Sequence, residues 1–183
     1  MNRNDALNLV KANVKNRRML YHMLAVEALM RALARHLDED EETWALTGLL
    51  HDIDFEETRN NPRMHGLLAS ELLKDRVPEN IIRAIKAHNH EYTGVKPETR
   101  MEKALIACDA LSGLLVACAL IMPSKKLSEV RVKTVKKKFK AKDFAKGVDR
   151  NRISLCESFG VTKEEFFEIG LEALKCISQE LGL

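Results

Sequence analysis

Apolar side chains recur at intervals of three and four residues along almost the whole chain, and strict alternation is scarce. That period predicts helix after helix and an all-α fold. A short amphipathic helix is expected over about Asp5–Val14 and a longer one over about Arg17–Leu37. The acidic run DEDEE supplies N-caps and favourable first-turn charge for the next helix, TWALTGLLHD, which ends near His51–Asp52. Asn61-Pro62 reads as a cap with proline in the first turn of a helix reaching about Lys74, and Val77-Pro78 repeats the device before a helix to about His88. A long apolar helix follows over about Glu98–Ile121, stopped by Pro123. After a basic stretch, about Leu127–Asn151, a last helix runs from about Lys163 to Leu181. Thr162 and Glu165 have the spacing of a capping box at its start.

Composition changes this picture little. The 183 residues are 45% apolar and 31% charged, ordinary for one globular unit and too apolar for disorder. The division expected is a helical core over 1–124 and an extension over 125–183, packed on that core. Residues 104–122, ALIACDALSGLLVACALIM, reach the lower length for crossing a bilayer. Asp109 within them is costly in hydrocarbon, and a helix wrapped by other helices is apolar on all sides. No membrane association is therefore expected. The four cysteines form no CxxC pair and the N-terminal residues carry no apolar signal core, so the expected location is a reducing cytoplasm.

Charge is unevenly spread. Residues 125–152 hold twelve Lys and Arg against three acids, although the net charge of the chain is only +3. Such a strip suits nucleic acid, but it lacks the aromatic residues that stack bases beyond Phe139 and Phe144. It is read as a solvated helix face, and nucleic acid is not the expected partner.

The chemistry lies in the histidines. His22 shares a helix face with Met19, Val26 and Leu29. His65 is placed with Leu68, Ala69 and Leu72, and His88 with Ile81, Ala84 and Ile85. Asp109 has Leu105 and Ile106 behind it, and His51-Asp52 closes its own helix. One inward histidine has a dull explanation, a hydrogen bond to a carbonyl. Several inward polar groups on separate helices, one of them an acid, would each need a private partner in an apolar core. A shared divalent cation satisfies them together, because imidazole nitrogen and carboxylate oxygen both donate to it.

The order of these groups resembles the HD-domain superfamily of metal-dependent phosphohydrolases: one His, then His-Asp within LLHDID, further histidines in MHGLLASELL and IKAHNHEYTG, and a distant Asp in a long helix. The likeness covers roughly residues 17–120 and implies an HD-type helical bundle with a C-terminal helical extension. It implies that His22, His51, Asp52 and Asp109 ligate a principal metal and that His65 and His88 are added in two-metal members, with Asp52 bridging. His90 is a further candidate ligand. The commonest continuation after His-Asp in that superfamily is Ile-Gly-Lys. Here it is Ile53-Asp54-Phe55, similar to a branch of HD hydrolases without established substrates.

The implied activity is hydrolysis of a phosphate monoester or diester, of a nucleotide or another small phosphorylated metabolite, by metal-activated water. One or two ions of Mn, Fe, Ni, Co or Zn suit such ligands, with Mg a further candidate. Asp52 and Asp54 are the catalytic candidates, Asp54 as a group that positions water or holds a ligand histidine; the other reading of Asp54, and the favoured one from its place alone, is a surface acid at a helix end. Arg18, one turn before His22 on the same face, is the candidate for substrate phosphate. Alternatives from other classes are a catalytically silent nucleotide-binding sensor or scaffold and a nucleic-acid binder led by the lysine strip. An oxygenase using similar ligands is a further variant of the enzyme reading. The oligomeric state is left open.

Overall fold

The computed structural model describes residues 1–183 and contains helices and turns with no strand. Helix α1 (Arg3–Asn13) leads into α2 (Arg17–His36) and α3 (Glu41–Leu50). Short α4 (Phe55–Thr58) and a single turn at Pro62–Met64 precede α5 (Leu67–Leu73). Then come α6 (Glu79–His88), short α7 (His90–Thr93) and the long α8 (Arg100–Leu120). The remainder is α9 (Val132–Lys140), α10 (Arg150–Ser154), α11 (Lys163–Cys176) and α12 (Ser178–Leu181). Side chains after residue 124, among them Leu127, Val135, Ile153 and Phe166, belong to the same apolar core as Leu29, Leu50 and Leu111.

Three contacts set the frame of the site. A Cβ on Gly48 would meet the Val26 carbonyl oxygen at 2.8 Å, so α2 and α3 lie backbone to backbone at a point only glycine permits. This brings His22 near the His-Asp pair. Thr99 and Glu102 form a reciprocal capping box at the start of α8, and the buried Glu102 carboxylate also pairs with Arg83 Nε of α6 at 3.0 Å. That tie fixes the helix carrying His88 against the helix carrying Asp109. The third contact is Asp40, which caps α3 through the Thr43 amide, satisfying a donor that would otherwise be orphaned.

Helix α8 is the one helix long and apolar enough to cross a membrane, with mean hydropathy 1.8. Residues such as Leu105, Leu111 and Leu115 on it are fully buried against neighbouring helices, which is the arrangement of a central core helix.

Two expected helices are interrupted. The stretch from Pro62 to Lys74 is broken at His65, whose ψ of 128° is extended, and at Gly66, whose φ is +84°. A Cβ there would lie 3.2 Å from the Ile85 carbonyl oxygen, so the left-handed turn and the approach to α6 both call for glycine. Asn61 makes no side-chain cap, and α5 is capped from elsewhere, as described below. The last helix ends at Cys176, where Ile177 leaves helical geometry, and α12 resumes for one turn. The capping box between Thr162 and Glu165 is present.

Candidate metal centre

His51 and Asp52 follow the last residue of α3, and the chain there turns so that both are buried. Around them the structure gathers His22 from α2, His65 from the break before α5, His88 from the last residue of α6, and Asp109 from the middle of α8. His22 Nε2 lies 3.3 Å from His51 Nε2, 3.6 Å from Asp52 Oδ2 and 3.2 Å from Asp109 Oδ1. His65 Nε2 lies 3.0 Å from His88 Nε2 and 3.2 Å from Asp52 Oδ1, and His88 Nε2 is 3.4 Å from the same oxygen. Two ligand groups result, His22–His51–Asp52 and Asp52–His65–His88, and Asp52 belongs to both.

The hydrogen bonds behind the rings decide what the gap between them holds. His51 Nδ1 donates to the Gly48 carbonyl at 2.8 Å and His88 Nδ1 donates to the Ile85 carbonyl. His65 Nδ1 donates to Asp54 Oδ1 at 2.9 Å. Ser112 donates to the Asp109 carbonyl at 2.8 Å, so its oxygen accepts from His22 Nδ1 at 3.1 Å. Carbonyls and carboxylates only accept, so each ring carries its proton on Nδ1 and presents a bare Nε2 lone pair inward. Four lone pairs and two carboxylates then face one another at 3.0–3.6 Å. Acceptors at that spacing repel unless a proton or a metal ion lies between them. The donor set, imidazole nitrogens with carboxylates, fits a divalent transition metal, and each ligand ring has the hydrogen-bonded support typical of such sites.

Without a metal, protons take that place. Burial pushes the His51 imidazolium down, but the Asp52 carboxylate outweighs it and raises the pKa from 6.5 to about 9. His65 is likewise opposed by burial yet raised to about 10, by Asp52 and then Asp54. Burial would raise the Asp52 carboxyl, but His51, His65 and His88 hold it well below the usual carboxylate range. Asp109, also penalised by burial, is lowered by its bond to His22. The centre is thus built to keep its acids ionised.

Three expectations need correction. Asp54 is not a surface acid; of the two roles expected for it, the structure has it holding a ligand histidine. It is 1% exposed, and Oδ2 accepts from the Gly66 and Ala69 amides at 2.8 Å each while Oδ1 holds His65. One carboxylate therefore caps α5 from a distance and orients a ligand ring. Arg18 lies on the side of α2 that lines a neighbouring cavity of about 480 Å³, with Tyr21, Val116 and Leu120, and is absent from the lining of the metal cavity. One turn along the helix from His22 it shares that residue's face, but the face divides between two cavities. His90 joins neither ligand group, because α6 ends at His88 and Asn89 turns the chain. Its Nδ1 is buried without a hydrogen-bond partner.

A cation that the sequence reading passed over stands in Arg18's place. Arg152 of α10 lines the metal cavity of about 370 Å³, and its Nη1 lies 3.7 Å from Asp109 Oδ2. It comes from the extension, which the expected HD core did not include. In sequence it is one of three arginines, with Arg131 and Arg150, in a strip rich in lysine, and nothing local distinguishes it.

No curated protein and no solved structure matches this chain. A family model for the HD domain matches residues 19–114, which is more than half of the chain and runs from just before His22 to just beyond Asp109. Members of that family are in general metal-dependent hydrolases, and the matched segment carries all six gathered side chains. On the fold, the ordered His and Asp set and this match together, the chain belongs to the HD-domain family.

Proposed function

We propose that the protein is a phosphohydrolase that splits the phosphate ester of a nucleotide or another small phosphorylated metabolite with water. The observation that carries this reading is the convergence of four Nδ1-anchored imidazoles and two ionised carboxylates on one gap, with Asp52 common to both ligand groups. His22, His51, Asp52 and Asp109 would hold one divalent ion of Mn, Fe, Ni, Co or Zn, and Asp52, His65 and His88 a second. When bound, such an ion lowers the pKa of coordinated water from about 16 to about 7, which supplies hydroxide at neutral pH.

The chain's own work is positional. Gly48, Ile85, Ser112 and Asp54 hold each ligand ring by its Nδ1, so an ion has only to displace the protons that stand at Nε2 in its absence, with no ring to be reoriented. Asp52 stays ionised at any physiological pH, and Phe55 and Met19 wall the cavity on its apolar side. No serine or cysteine nucleophile is required. Cys108 is buried with its thiol pushed well above its usual range, chiefly by burial, and so is a poor nucleophile.

Metal analysis of the purified protein, with phosphate release across a panel of nucleotides and sugar phosphates, tests the reading. Stoichiometric transition metal and hydrolysis abolished by Asp52→Ala are expected. Absence of metal, or unchanged activity in Asp52→Ala, overturns it.

A further inference from the structure

We propose that Arg152, presented by the extension beyond the family-matched segment, binds the non-bridging oxygens of the substrate's phosphate group. The inference rests on the phosphohydrolase reading above and names the anion contact of the same site. Arg152 is the only Lys or Arg among the residues lining the metal cavity. It also lines the adjoining cavity of about 300 Å³, so its head group stands where the two spaces meet beside Asp109.

Its guanidinium is uncommitted. Its ion-pair partner, Asp109 Oδ2, is 3.7 Å away, beyond hydrogen-bond length, and the side chain donates no hydrogen bond, leaving the five N–H donors of a planar fork free beside the cavity it lines. Such a fork matches two phosphoryl oxygens. Proximity to Asp109 holds the charge in place without consuming the donors.

The placement is constructed rather than incidental. Two residues earlier, Arg150 spends its own guanidinium entirely on structure, reaching the carbonyls of Phe139, Ala141, Phe144, Ala145 and Val148. That knot closes the loop between α9 and α10. Asp149 then caps α10 through the Asn151 amide at 2.8 Å. On the other side, Val148 packs so near α8 that a Cβ on Gly113 would stand 3.2 Å from its Cγ2. Arg150, Val148 and Asp149 together dock the loop on the helix of Asp109, one turn from that ligand, and this leaves Arg152 facing the cavity. A surface arginine would not need such a mounting.

Arg152→Met, Arg152→Lys and Lys137→Met test this, the last being an exposed lysine of the same extension that controls for net charge. Metal content, the Kd for inorganic phosphate by calorimetry on the metal-loaded full chain, and KM with kcat for a hydrolysed ester are measured. Arg152→Met is expected to keep its metal, weaken phosphate about 10- to 100-fold and raise KM comparably, the scale of a lost charge-assisted pair. Arg152→Lys is expected to fall between, keeping charge but losing the fork, and Lys137→Met to match the native protein. Unchanged phosphate affinity in Arg152→Met overturns the inference. Loss of metal in that variant also overturns it, since Arg152 would then serve Asp109, and so does an equal loss in Lys137→Met. A native protein that holds metal and binds phosphate through Arg152 but hydrolyses no ester defeats the phosphohydrolase reading and leaves the anion site standing. Metal-loaded native protein that binds no phosphate removes the anion site.

Discussion

Asp54 separates stability from metal binding in a way two substitutions resolve. Its Oδ2 satisfies the Gly66 and Ala69 amides at the start of α5, and its Oδ1 fixes His65. Asp54→Ala removes both acceptor oxygens and the three hydrogen bonds they accept, and leaves two backbone donors unpaired at a buried helix start. At about 1–3 kcal/mol for each unsatisfied buried group, the loss of folding stability is about 2–6 kcal/mol. Asp54→Asn is nearly isosteric. Its single oxygen can keep the two amides, and then its NH₂ points at His65 Nδ1. Two donors cannot face each other, so His65 must move its proton to Nε2, the atom that faces His88 and Asp52. The cap survives, and stability should fall by about 1 kcal/mol, the cost of a weakened neutral hydrogen bond. Metal affinity should fall about 10- to 100-fold, the usual effect of removing an orienting partner. Urea unfolding of metal-free protein reads the first quantity, and competition with a chelating dye reads the second. Native metal affinity in Asp54→Asn, or equal destabilisation by both substitutions, would refute the dual role.

Further outcomes follow from the same geometry. Gly48→Ala drives a methyl into the Val26 carbonyl and should cost about 1–3 kcal/mol while loosening metal binding, because α2 and α3 carry His22 and His51 apart together; a melting temperature within a degree of native would contradict this. In metal-stripped protein His51 and His65 sit at about 9 and 10 against 6.5 when unfolded, so their contribution to stability is full below about pH 6.5 and is lost as pH rises through 9 to 10. Urea midpoints of chelator-treated protein should fall over that interval, and metal-loaded protein, whose imidazoles are already deprotonated, should not share the fall; parallel curves for the two forms would count against the assignment. Of the four cysteines only Cys176 is exposed, while burial pushes Cys118 and Cys156 up to about 11. A thiol reagent at pH 7.5 should therefore label one site quickly in the folded chain and four in denaturant; rapid labelling of two or more in the folded state would mean a looser core.

Much of this protein is readable along the chain. The helical period fixes the bundle, because burying one face of each helix is the main driving force and leaves a trace every three or four residues. His22, His88 and Asp109 were legible for the same reason, as polar groups on otherwise apolar faces of regular helices. The His-Asp pair and the capping box at Thr162 are local signals and needed no partner to be seen.

His65 was placed among the ligands for the wrong geometric reason, since the helix expected to orient it is broken at Gly66 and the ring is held by Asp54 instead. Periodicity describes a side chain's direction only where the backbone is regular. The burial of Asp54, its capping of α5 and the placement of Arg152 are not legible locally, because they arise from partners far along the chain. The Asp54 carboxylate serves amides 12 and 15 residues later, and Arg152 meets Asp109 only after the α9–α10 loop has been tied by Arg150 and seated on α8. The sequence by itself determined which elements form and which residue types line the gap. The tertiary structure decided which acid anchors, which histidine stays out and which arginine faces the cavity, because those outcomes depend on the relative placement of helices, and no local spacing encodes it.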